Sequence, residues 1–112
     1  MTSNNNLSSK RLISDLLRPD IKVYVYCSDE KTQKQFMADA ESEGFIFGDG
    51  LKPSERNGDD IMAVNNDKTI CYVGFTGRLA FHHAFTVSGK ALVKVDYKKY
   101  IEGSTYYFYT HS

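Results

Sequence analysis

From Ile21 to Cys27 the chain alternates, with Ile21, Val23, Val25 and Cys27 at every second position and Lys22, Tyr24 and Tyr26 between them. That period of two predicts a strand with an aliphatic face and a tyrosine-bearing face. Upstream, Leu7 to Leu17 sets Leu12, Ile13, Leu16 and Leu17 on one side of a helix, and Arg18-Pro19-Asp20 stops it. Downstream, Ser28 is the expected N-cap of a second helix, with Asp29 and Glu30 in its first turn. Phe36, Met37 and Ala40 form the apolar stripe of that helix, which runs to about Glu43 with Gly44 as its cap.

Short apolar runs fill the rest of the chain. Phe45 to Phe47, Ile61 to Val64, Thr69 to Phe75 and Ala91 to Asp96 read as strands. Asn65-Asn66-Asp67-Lys68 tolerates left-handed geometry and predicts a hairpin between two of them. GRLAFHHAF and DYKKYI read as helical turns, and TYYFYT as a terminal strand or an ordered aromatic tail. The first six residues, MTSNNN, are polar and aperiodic, so residues 1–6 are expected to be disordered. With no repeat or linker, residues 7–112 make one α+β domain. The expected sheet is mostly antiparallel, of about four to six strands, with two helices packed on one face.

Charge narrows the function classes. Fourteen basic and fourteen acidic residues cancel, which argues against a general nucleic-acid binder. No apolar run approaches the length of a membrane span and no leader opens the chain, so a cytoplasmic protein without a membrane partner is expected. Two cysteines, Cys27 and Cys71, are too few for a disulfide framework and read as free thiols.

Candidate chemistry begins in FIFGDGLKPSER, Phe45 to Arg56. Gly48-Asp49-Gly50 lacks the spacing of a phosphate loop or a dinucleotide fingerprint, and the segment lacks the alternating oxygen ligands of a calcium loop. The plain reading is a turn in which Asp49 caps its own backbone and Pro53 stiffens the exit. Glu55, Arg56, Asp59 and Asp60 form a first candidate partner-binding patch, in which Arg56 has the planar fork that reads carboxylates and phosphates.

His82 and His83 are adjacent and lack metal-ligand spacing, so no metal or other cofactor is assigned. Either could reach Cys27 or Cys71 to hold zinc, or make a Cys-His dyad with Cys27, but the two acids after Cys27 oppose a thiolate. No catalytic residue is assigned. Eight tyrosines and seven phenylalanines are a heavy aromatic load; Phe45, Phe47, Phe75 and Phe81 suit a core. Tyr24, Tyr26, Tyr106, Tyr107 and Tyr109 form a second candidate patch, to be covered by the chain's own termini, by a partner or by a second copy. Lys90, Lys94, Lys98 and Lys99 lie beside it as solvated charges, or as contacts to a nucleic-acid strand.

The segments YVYCSDE, EGFIFGDGLKPSER, DDIMAVNNDKTICYVGF, GRLAF and KVDYKKYIEG resemble small proteins encoded by phages and mobile elements of Gram-positive bacteria. The resemblance spans Ile21 to Gly103 and carries no site residues with it. It implies a bacterial host cell and an inhibitor that binds a host machine, in the manner of anti-CRISPR and other anti-defence proteins. The expectation is therefore a non-enzymatic inhibitor that acts by occupancy on a host protein, possible targets including a nucleic-acid-guided nuclease. The alternative is a protein that sequesters a small ligand or nucleotide with Arg56, Arg78 and Lys94. A third reading is zinc- or Cys-dependent activity.

Overall fold

The computed structural model describes residues 11–109. The expected disorder of residues 1–6, the start of the first expected helix and His111 lie outside them. In chain order the elements are β1 (Ile21–Tyr26), α1 (Glu30–Ser42), β2 (Ile46–Phe47), β3 (Ile61–Val64), β4 (Thr69–Tyr72), α2 (Gly74–His83), β5 (Thr86–Val87), β6 (Lys90–Asp96) and α3 (Tyr97–Ile101). Two 3-10 turns, Ile13–Leu16 and Pro53–Glu55, complete the set. In the described part of the first expected helix, only that first 3-10 turn forms, and Arg18-Pro19 ends it before β1.

The six strands form one sheet in the order β2-β4-β3-β1-β6-β5. β1 is antiparallel to β3 and parallel to β6, and β2 is parallel to β4. The sheet is therefore mixed, which corrects the expectation of a mostly antiparallel one. The cause is in the connections: α1 returns the chain to its starting end, so β2 runs with β1 rather than against it. The β3–β4 hairpin then fills the gap between them, turning at Asn65–Lys68 with Lys68 at φ 68°.

The predicted alternation of β1 holds. Val23, Val25 and Cys27 enter one apolar cluster with Phe36, Met37 and Ala40 of α1 and Tyr97 and Tyr100 of α3. Tyr24 enters a second cluster with Ile61, Ala63 and Phe81 of α2, and Tyr26 packs against it. Both faces of the sheet are thus covered, α1 and α3 contributing to one cluster and α2 to the other. Phe75, expected in the core, is instead 77% exposed on α2, whereas Phe45, Phe47 and Phe81 are buried. The strand expected to reach Phe75 ends at Tyr72, and the chain turns into α2 at Gly74.

Helix α1 begins one residue later than the sequence suggests, because Asp29 rather than Ser28 caps it by accepting from the Thr32 amide at 2.7 Å. It ends in a Schellman arrangement: the Phe45 amide donates to Ala40 O at 2.9 Å and the Gly44 amide to Glu41 O at 3.0 Å. Gly44 adopts φ +88°, which a side chain would strain.

Two anchors hold the N-terminal segment. The Glu43 carboxylate accepts from the Ile13 amide at 2.7 Å, the Ser14 amide at 2.9 Å and the Ser14 hydroxyl at 2.9 Å. Arg11 donates to Ser104 O at 2.8 Å and lies over the Tyr107 ring at 4.9 Å, tying this segment to the chain after α3. A buried polar pair completes the α1 face, with the Tyr97 hydroxyl donating to Asp39 at 2.5 Å. Burial, and then the bond to Asp39, push the Tyr97 hydroxyl's pKa up.

Glu43→Ala leaves two backbone amides of the Ile13 turn without their acceptor and should destabilise the protein by about 2 kcal/mol in urea unfolding. Glu30→Ala, which removes only an exposed pair with Lys34, should cost under about 0.5 kcal/mol. Equal losses in the two variants would show that Glu43 is not an anchor.

Candidate functional site

The first expected patch is divided between two local networks. The turn at Gly48–Gly50 closes with the Gly50 amide on Phe47 O at 2.8 Å, and the Asp49 carboxylate accepts from the Leu51 amide at 3.1 Å. Glu55 accepts from the Lys52 amide at 2.7 Å and so caps its own turn. Arg56 pairs with Asp49 and lies 4.8 Å above the Phe47 ring. Asp59 and Asp60 turn to Arg78 instead: its Nη2 meets Asp59 at 3.1 Å and its Nη1 meets Asp60 at 3.2 Å. Hydrogen bonding from Arg78 is the chief reason the Asp60 carboxyl's pKa is held below the usual carboxylate range.

The tyrosine patch is divided too. Tyr24 is buried, and Tyr26 lies 4.9 Å from the Tyr109 ring and 5.9 Å from Phe81. Burial raises the pKa of both hydroxyls. Tyr107 packs 5.0 Å from Tyr100 on the other side of the sheet. Of the five, only Tyr106 is largely free of the fold, at 82% exposure. The tail covers the sheet edge: the Asp96 amide donates to Tyr107 O at 2.7 Å and the Tyr109 amide to Lys94 O at 2.9 Å. β5 pairs with the first half of β6 and the tail bridges its second half, so the same strand edge is shared between them.

The residues meant for a nucleotide do not gather. Arg56 lines a groove of about 450 Å³ between α1 and the Pro53–Gly58 loop, with Lys34, Met37 and Asn57 but without Arg78 or Lys94. Lys94 lies 5.4 Å above the Phe81 ring, and Arg78 is held by its two acids. The two cysteines belong to opposite faces: Cys27 is in the α1 cluster and Cys71 packs against the α2 cluster. Burial, followed by the charges of Asp96, Asp29 and Asp60, pushes the Cys27 thiol's pKa up, away from a nucleophile. His82 and His83 are exposed on α2 with ring centroids 6.3 Å apart. Among the described residues no three His, Cys, Asp or Glu side chains gather as metal ligands, and no helix is long and apolar enough to cross a membrane.

What the residue patterns did not reveal is a set of outward-facing apolar side chains. Phe75 and Leu79 occupy successive turns of α2 at 77% and 48% exposure, and Phe85, just past its end, is 89% exposed. On the tail, Phe108 is 52% exposed and lines, with Phe85, Leu92, Lys94 and Tyr109, an open notch of about 300 Å³. Helix α2 turns inward through Phe81 and Gly77, where a Cβ would sit 2.4 Å from that of Val73. Reading GFTGRLAFHH as a helix would have exposed the signal, because Phe75 and Leu79 are four apart and Phe81 falls on the opposite side. Compared with protein-family models, curated proteins and solved structures, the chain shows no significant match.

The Asp60 carboxyl, depressed in the fold, contributes stability that is present above the unfolded carboxylate pKa and lost as pH falls through the folded one. Arg78→Ala should therefore lose less stability than the wild type between about pH 7 and about pH 3 in urea unfolding. An unchanged pH dependence would mean that the pair contributes nothing. Native Cys27 should resist alkylation until the protein is unfolded, as mass spectrometry of labelled protein would show; rapid native labelling would contradict its place in the core.

Proposed function

We propose that the protein is a binding protein that acts by occupying the surface of a protein partner, and that it does so through the outer side of α2 and the Phe85–Phe108 notch. One observation carries this reading: Phe75, Phe85 and Phe108 are more than half exposed in a chain that otherwise covers both faces of its sheet. Large aromatic side chains held in water by a rigid frame are the usual anchors of protein interfaces. The target in this reading is a host machine, bound as an anti-defence inhibitor would bind it, as the segments from Ile21 to Gly103 lead us to expect.

The two charged networks now belong to the frame. Arg56 and Arg78 are occupied by carboxylates of the chain itself, which lowers the support for a nucleotide-sequestering protein. The Cys-dependent reading is weakened by the place of Cys27 in the α1 cluster, on the opposite face of the sheet from the helix that carries His82 and His83.

Tagged protein passed over a bacterial lysate with and without nuclease, and read by mass spectrometry, should retain one stoichiometric protein partner that survives nuclease. Phe85→Asp should lose that partner while unfolding at the wild-type urea concentration, since the ring makes little contact with the fold. An empty eluate, or a partner indifferent to Phe85→Asp and Phe75→Asp, would overturn the assignment.

A further inference from the structure

The acids of this chain are unevenly placed. From Lys68 to Val95 there is no Asp or Glu, although the chain has fourteen. That acid-free run supplies Phe75, Leu79 and Phe85, three of the exposed apolar side chains. It also supplies Lys90 and Lys94 on β6. Lys94 lines the notch between Phe85 and Phe108, and Lys90 is exposed on the same strand, about 13 Å away at the usual rise per residue. Arg78 lies within the run but is already neutralised by Asp59 and Asp60.

Resting on the binding function proposed above, we infer that the partner presents a polypeptide segment that is both apolar and acidic. A large side chain of that segment fills the notch between Phe85 and Phe108, and its carboxylates meet Lys94 and Lys90. The complementarity is specific in sign. A basic segment would set like charges against the lysines, and a neutral one would leave them without a counter-charge at the rim.

A nucleic-acid strand fits less well, because phosphate tracking needs a row of cations, and the notch offers one lysine with a second further along its strand. A second copy docked by two-fold symmetry would bring each pair of lysines toward its own image. The rim charges set the partner's sign and the aromatic rings supply the anchoring, a division of labour common at protein interfaces.

The test is selection of a random peptide library displayed on phage against the immobilised full chain, followed by affinity measurement of the enriched peptides as synthetic compounds. The expected peptides combine an aromatic residue or Leu with neighbouring Asp or Glu, and their binding weakens as salt rises. Lys90→Glu, at an exposed position that spares the fold, and Lys94→Gln should each weaken binding roughly tenfold, and Phe85→Ser by more. Neutral or basic peptides that still depend on Phe85 and Phe108 would overturn the charge assignment alone and leave the binding surface standing. Absence of enriched peptides, or peptides indifferent to Phe85→Ser and Phe108→Ser, would overturn the surface itself. Tight binding of a labelled single-stranded oligonucleotide through the same residues, or a dimer abolished by Phe85→Ser in sedimentation, would replace the acidic segment with that occupant.

Discussion

The fold depends on one strand that is apolar on both sides. β1 sits inside the sheet, between β3 and β6, and sends Val23 and Val25 to one face and Tyr24 and Tyr26 to the other. A strand of that kind is stable only if both faces are shielded from water, since each large side chain left exposed forfeits about 2 kcal/mol of burial. The rest of the chain supplies the two covers. On the aliphatic face, α1 brings Phe36 and α3 brings Tyr97, their rings edge to face at 5.2 Å. On the tyrosine face, Phe81 of α2 and Tyr109 of the tail close over Tyr26.

Keeping those covers in place is the work of the polar groups. Glu43 gathers the Ile13 turn to the end of α1, Asp39 takes the Tyr97 hydroxyl at the same interface, and Arg78 ties α2 to the residues just before β3. Each joins segments distant in the chain through charge-assisted bonds, which are stronger than neutral ones when partly shielded. The same accounting explains why the charged residues that look available in the sequence are engaged in the structure. Arg56, Arg78, Glu55, Asp59 and Asp60 serve the turns and the helix they sit beside.

What remains outside that division is apolar. Helix α2 covers the tyrosine face with one side and leaves Phe75 and Leu79 on the other, while Phe85 and Phe108 line one notch at the sheet edge where β5 gives way to the tail. Phe75 and Phe85 bury little of their surface in the fold, and the proposed binding function would give that exposed surface a role. Lys94 in the wall of the notch gives it a charge as well as a shape. In the proposed interface the rings would supply affinity and the lysines the choice of partner.

Local pattern was enough for the alternation of β1, the stripe of α1, the Asn65–Lys68 hairpin and the α+β class, because each rests on neighbours within a few residues. The capping of α1 by Asp29 also obeys a local rule, missed by one residue between two good capping side chains. The parallel pairing of β1 with β6 and of β2 with β4 was not legible, since strand direction follows from how helices carry the chain across the sheet. Nor was the fate of Phe75, which a strand would have buried and a helix turned outward. By itself the sequence determined the two-sided apolar character of β1 and the buried stripe of α1, because each is written in the spacing of neighbouring residues. Only the tertiary structure decided which aromatic rings were needed to cover β1 and which were left over, because that depends on the space between elements far apart in the chain.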